Sequence, residues 1–173
     1  GELLNPHRTA KARSFGRHPF VTLTRSGGAA RVAVPAALDY RAPRQVASVA
    51  VLPLVPGIGA PLLRAALDSE VRGLVLECFG SGTGPCDDPG FLTALEQARA
   101  RGVVVVAITQ CHEGGVELDV YEAGSRLRQA GVLSGGGMTR EAAFGKLQAL
   151  LGSGLPVEEV RRLVELDLAG ELG

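Results

Sequence analysis

Apolar residues in this chain fall into two kinds of block. In the first kind nearly every position is apolar: Val46 to Leu54, Arg72 to Phe79, and Gly102 to Thr109 with Val103-Val104-Val105-Val106-Ala107-Ile108 at its centre. Such runs are strands buried on both faces, as in a parallel sheet. Val132-Leu133 is a short fourth strand. In the second kind apolar residues recur every three or four positions, which is helical spacing. Pro61 opens a short helix carrying Leu62, Leu63, Ala66 and Leu67, and Asp88-Pro89 gives a cap and a first-turn proline before Phe91, Leu92, Leu95 and Ala98. A third helix starts near Asp119 with Val120, Ala123, Leu127 and Ala130 inward, and Gly131 ends it. Thr139 caps a fourth with Ala143, Leu147, Leu150 and Leu151, closed by Gly152. A fifth begins near Pro156 and buries Val160, Leu163, Val164 and Leu168. Alternating β and α elements imply right-handed crossovers. The predicted class is α/β: a small doubly wound parallel sheet of about four strands with helices on both faces.

Residues 1–47 lack this pattern. They are rich in Arg, Ala, Gly and Pro, with one short strand expected at Ala30–Val34 and a turn at Ala42-Pro43-Arg44. They read as an arm or interdomain linker, followed by an α/β domain over 48–173. The whole chain has 173 residues, 46% of them hydrophobic and only 4% aromatic, so the core must be built from Leu, Val and Ala. Eighteen basic residues balance eighteen acidic ones. That balance argues against nucleic acid or an anionic membrane as the main partner. His7, Arg8, Lys11, Arg13, Arg17 and His18 do gather before any acid after Glu2, which suits a solvated or partner-facing arm. No run of eighteen apolar residues exists to span a bilayer, and no signal peptide is apparent. Three cysteines without CxxC spacing fit a reducing cytoplasm.

Two strand ends carry the candidate chemistry. One empties into Phe79-Gly80-Ser81-Gly82-Thr83-Gly84-Pro85, the other into Gln110-Cys111-His112-Glu113-Gly114-Gly115. The alternate glycines let backbone approach a small polar ligand. They do not make a dinucleotide fingerprint, because the following helix is delayed and no acid ends a suitable next strand. A phosphate-binding P-loop is excluded, since no Gly-Lys-Ser/Thr occurs. Glu77, Cys78, Cys111 and His112 lack the spacing of a structural zinc site. Cys111 and His112 are sequence neighbours, a poor arrangement for a nucleophile and its base. Tyr121, one of two tyrosines, places a phenol near the crevice. No hydroxyl or thiol has an evident general base, so no complete catalytic apparatus can be assembled from these residues; on the spacing and motif grounds above, no metal or cofactor is expected.

The second half resembles the C-terminal domain of the bacterial-type L-asparaginases, nearest the cytoplasmic type I branch. The matching residues are Pro56-Gly57-Ile58, Gly73-Leu74-Val75-Leu76 leading into Phe79 to Pro85, Ile108-Thr109-Gln110-Cys111 and Tyr121-Glu122-Ala123-Gly124. Ala130-Gly131-Val132-Leu133-Ser134-Gly135-Gly136-Gly137-Met138-Thr139, Glu141-Ala142-Ala143 and the closing Leu168-Ala169-Gly170-Glu171 follow. At the front, Arg8-Thr9-Ala10-Lys11 is similar to the segment leaving the family's N-terminal domain.

The resemblance implies a Rossmann-like domain that completes an asparaginase active site in a homodimer or a dimer of dimers. The nucleophilic threonine motif TGGT and the GTDT motif belong to the N-terminal domain, and neither occurs here. The chain alone is therefore expected to be inactive. Substrate contacts offered to a neighbouring subunit map onto Ser81, Gly82, Thr83 and Tyr121, with Thr83 standing where asparagine is usual. The effector-site positions of the type I branch map onto Glu77 and Cys111. Glu77 replaces an arginine, and a carboxylate cannot clasp the effector's carboxylate. Two alternatives stand beside this reading: an inactive small-ligand-binding or dimerisation module, and part of an amidotransferase subunit acting on misacylated tRNA.

Overall fold

Gly73–Cys78 and Val104–Thr109 are buried at every position and pair in parallel, forming the middle of a four-stranded sheet. In this computed structural model, which describes residues 3–25, 30–38 and 44–173, the elements run as follows. An N-terminal stretch supplies β1 (Thr9–Lys11), β2 (Phe20–Thr22), β3 (Thr24–Arg25) and a single 3-10 turn at Ala36–Leu38. Then come β4 (Val49–Pro53), α1 (Ala60–Asp68), β5 (Gly73–Cys78), α2 (Pro89–Ala100), β6 (Val104–Thr109), β7 (Glu113–Gly114), α3 (Glu122–Gln129), β8 (Leu133–Ser134), α4 (Arg140–Leu151) and α5 (Val157–Val164). The main sheet has the order β4-β5-β6-β8, all parallel.

That order explains how the sheet is covered. Strands stepping in one direction through right-handed crossovers place every connecting helix on the same face. α1, α2 and α3 lie there, packed on Leu74, Leu76, Cys78, Val105 and Ala107. The period of two sends Val75, Val104, Val106 and Ile108 to the opposite face. α4 and α5, which follow the last strand, close that face. The α/β class, the four parallel strands and the five helices agree with the sequence pattern. The second face, however, is covered by helices that connect no strands. Gly73 belongs to this arrangement, because a Cβ there would stand 2.9 Å from Leu151 Cδ1.

Caps fall where the sequence placed them. Asp88 accepts from the Gly90 amide and Thr139 from the Ala142 amide. Two helical details differ. Leu62 is 54% exposed, one position round from the buried Leu63. α3 starts at Glu122 rather than near Asp119, since Tyr121 is extended at φ −119° and ψ 150°, so Val120 points to solvent.

The N-terminal stretch is more structured than its sequence suggests. β1 and β2 form an antiparallel hairpin, and β3 pairs with β7. Ala30–Val34 contributes one bridge, Arg31 to Asp167, where the Val32 amide donates to the Asp167 carbonyl at 2.8 Å. The expected turn at Ala42-Pro43 lies outside the described residues.

The C-terminal tail holding Asp167 is fixed by a buried ion pair. Lys146 Nζ of α4 meets Glu171 Oε1 at 2.6 Å, with both side chains almost wholly buried. The Glu171 carboxylate also accepts from the Leu168 and Ala169 amides. Burial alone would raise this carboxyl, but the hydrogen bond and charge of Lys146 outweigh it, with help from the Leu168 amide, and lower it to about 2. Burial pulls the Lys146 ammonium down against the same partner.

A carboxyl depressed in the folded state stabilises fully above its ordinary value of 4.5, and that contribution fades as pH falls towards 2. Urea denaturation of the native protein should therefore lose stability more steeply across that window than Glu171→Gln, which should itself be weaker by about 3 kcal/mol at neutral pH. Equal slopes would contradict the assignment.

Candidate functional site

The site is built at the carboxyl ends of β4, β5 and β6, where two side chains fix the level of the strands. Gln110, just past β6, donates through Nε2 to the Leu54 carbonyl at 2.7 Å and to the Glu77 carbonyl at 2.8 Å. Thr109 donates through Oγ1 to the Gly80 carbonyl at 2.6 Å and accepts from the Cys111 amide at 3.0 Å. The loop leaving β5 then turns sharply. The amides of Gly82 and Thr83 both donate to the Phe79 carbonyl, at 3.1 and 2.9 Å, and Thr83 Oγ1 donates to the same oxygen at 3.2 Å.

Gly82 has a specific reason to be glycine. Its φ is +117°, and a Cβ would stand 2.9 Å from Val116 Cγ1 and 3.0 Å from Leu118 Cδ2. The segment after β7 lies directly over the turn, where the Glu117 amide donates to the Ser81 carbonyl at 2.9 Å. Gly124 repeats the device from α3, for a Cβ there would meet the Leu118 carbonyl at 2.6 Å. Two glycines thus clamp Val116–Leu118 between the β5 loop and α3. Ser81 and Thr83 are left half-buried, and Tyr121 stands 59% exposed at the start of α3. Sequence spacing suggested that the glycines open the loop for a ligand; at Gly82 protein atoms occupy that space.

Glu77, on the α4 side of the sheet, is buried and neutralised. Arg140 at the start of α4 clasps it with both arms, Nε to Oε1 at 2.6 Å and Nη2 to Oε2 at 2.7 Å. That hydrogen bond raises the Arg140 guanidinium above its ordinary value. Arg25 of β3 joins from the N-terminal stretch, donating to the Met138 and Cys111 carbonyls at 2.7 Å each. Burial lowers it, with the Glu77 charge opposing. These residues, with Lys11, His112, Thr139 and Glu141, surround an open cleft of about 470 Å³ between the hairpin and the strand ends.

The structure therefore separates the predicted positions. Glu77 lines this cleft, with Cys111 exposed close by. Ser81, Gly82, Thr83 and Tyr121 belong to the neighbouring loop cluster. Arg25 and Arg140 escaped the sequence reading, because a partner 63 residues away leaves no local signal.

All three cysteines are free thiols. The Cys78 thiol is buried, and burial pushes it up to about 12. Cys86 is also buried and donates to the Ala123 carbonyl, while Cys111 is free and exposed. No His/Cys/Asp/Glu cluster able to hold a metal ion occurs among the described residues.

The chain and its fold have counterparts among known proteins. The model of the glutaminase/asparaginase C-terminal domain matches residues 48–164, and the chain belongs to that family. Over 125 residues it is 46% identical to the human 60 kDa lysophospholipase, covering 72% of this chain and 22% of the relative. It is 40% identical over 124 residues to L-asparaginase 1 of Escherichia coli, covering 72% and 36% respectively. The thermostable L-asparaginase from Thermococcus kodakarensis superposes with a TM-score of 0.76 at 31% identity, over 96% of this chain and 53% of that one. The chain thus spans only about a fifth to a third of these curated relatives.

The clamp makes a graded prediction. Gly82→Ala should cost about 2–3 kcal/mol, because strain and overlap add. Gly80→Ala, at φ +48° with open space around it, should cost about 1 kcal/mol. Urea midpoints measure both, and an equal cost would remove the packing explanation.

Proposed function

We propose that this chain is the carboxyl-terminal part of an asparaginase-type amidohydrolase, converting L-asparagine and water to L-aspartate and ammonia. The family match over 48–164 carries the reading, and the loop fixed at the end of β5 gives it a place to act. In this reading residues 1–47 are the connection and 48–173 the domain. The chemistry proceeds through an acyl-enzyme: a threonine hydroxyl of the N-terminal domain attacks the side-chain amide carbonyl, ammonia leaves, and water hydrolyses the ester. The present chain supplies binding and orientation. Ser81 and Tyr121 offer hydroxyls at the rim of the loop cluster, and Gly82 sets the turn that presents Ser81.

Thr83 Oγ1 spends its proton on the Phe79 carbonyl, which leaves it an acceptor. An acceptor there favours a ligand amino or amide N–H. Glu77 is held by Arg140, which supports a second cleft without carboxylate recognition at that position. We place the protein in the cytoplasm, where its three free cysteines are stable. We also place it in a homodimer or a dimer of dimers, in which each loop cluster completes the active site of its neighbour.

A chimera joining this chain to the N-terminal domain of an L-asparaginase tests the proposal. The chimera should release ammonia from asparagine, and Tyr121→Ala should lower its kcat/KM by about tenfold or more. The unjoined chain should release none, and turnover by that chain would contradict the division of labour.

A further inference from the structure

The clamp ends at Leu118, and the stretch that follows it to Tyr121 is held by little backbone. Asp119, Val120 and Tyr121 are all exposed. The Val120 amide donates to the Glu117 carbonyl at 3.3 Å, and the Tyr121 carbonyl accepts from the Ser125 amide at 3.0 Å. The other tie comes from side chains outside the stretch. Arg128, in the last turn of α3, stands with Nε 3.0 Å from Asp119 Oδ1 and Nη1 3.1 Å from Glu165 Oε1.

Glu165 closes α5, and its Oε1 does a second job. The same oxygen accepts from the Ser134 amide of β8 at 2.9 Å. Ser134 then donates through Oγ to the Val116 carbonyl at 2.9 Å, while the Val116 amide donates to the Gly136 carbonyl at 2.9 Å. One carboxylate oxygen thus gathers both ends of the segment from Val116 to Tyr121. β8 grips its start, and Arg128 holds its end through Asp119. Arg128 and Glu165 are half-buried, whereas Asp119 is mostly exposed. Ion pairs this open to water add little to global stability. Their effect is local: they narrow the positions open to Asp119, and so to Tyr121 two residues on.

We propose that Arg128 and Glu165 are positioning residues, which hold the turn at Leu118–Val120 so that the Tyr121 phenol keeps one place beside the β5 loop. The proposal rests on the reading of Tyr121 as a substrate contact and names what sets that contact's position.

Hydrogen exchange on the full chain reads the positioning. Arg128→Ala should speed the Val120 and Ser125 amides about threefold or more. Glu165→Ala should speed them about tenfold, and the Val116 amide with them, because it also releases Ser134. Glu165→Gln keeps the shared oxygen, so its rates should stay within about twofold of native. Amides inside β5 and β6 should be unchanged in every variant, which shows the fold intact. The chimera described above reads the use of that position. There Arg128→Ala should lower kcat/KM about threefold or more, yet cost nothing further once Tyr121→Ala is present. A merely structural role would cost the same in both backgrounds. Native exchange at Val120 and Ser125 in Arg128→Ala would overturn the positioning, as would Glu165→Gln exchanging as fast as Glu165→Ala. Equal losses with and without Tyr121 would overturn it too. A chimera that releases no ammonia, with the exchange pattern as expected, would overturn the substrate reading of Tyr121 alone.

Discussion

The carboxyl ends of the central strands are tied together by side chains, and every other feature of the site hangs on that tie. Parallel strands present their last carbonyls without partners, and a buried carbonyl left unpaired costs about 1–3 kcal/mol. Gln110 adds a second donor to the Glu77 carbonyl, which already accepts from the Leu54 amide, and with the other hydrogen of the same amide group it satisfies the Leu54 carbonyl. Thr109 does the same for Gly80 on the next turn of chain. The β5 loop can only begin from that fixed level. It folds back on Phe79, receives Val116–Leu118 over Gly82, and leaves Ser81 and Thr83 at the rim. Because the strand order never reverses, no crevice opens between diverging crossovers. The loops themselves make the site.

How much of this the sequence disclosed depends on range. Val103 to Thr109 is apolar on both faces and announces a central strand, and the alternation inside it sorts the core into two halves without further information. Asp88 and Thr139 are caps whose partners lie two or three residues away, so local chemistry suffices to find them. Glu77 with Arg140 and Lys146 with Glu171 are pairs across the fold, and nothing in either neighbourhood marks them. The hairpin was hidden for another reason. Strands of three residues, exposed on most positions, carry too few apolar side chains to show a period.

Gly82 shows how a correct observation can suggest an incomplete cause. Alternate glycines at a strand end do signal close approach of backbone. Sequence cannot say whether the approaching group is ligand or protein, and here it is Val116 and Leu118. The residues that belong to the family pattern are therefore partly residues that hold the loop.

Hydrogen exchange in Gln110→Ala measures the tie most directly. Amides of Gly82, Thr83 and Glu117 should exchange about tenfold faster or more, since about 1.4 kcal/mol of lost protection corresponds to that factor. Amides inside β5 and β6 should keep their native rates. Unchanged exchange in the loop would contradict the account, as would a uniform acceleration across the sheet.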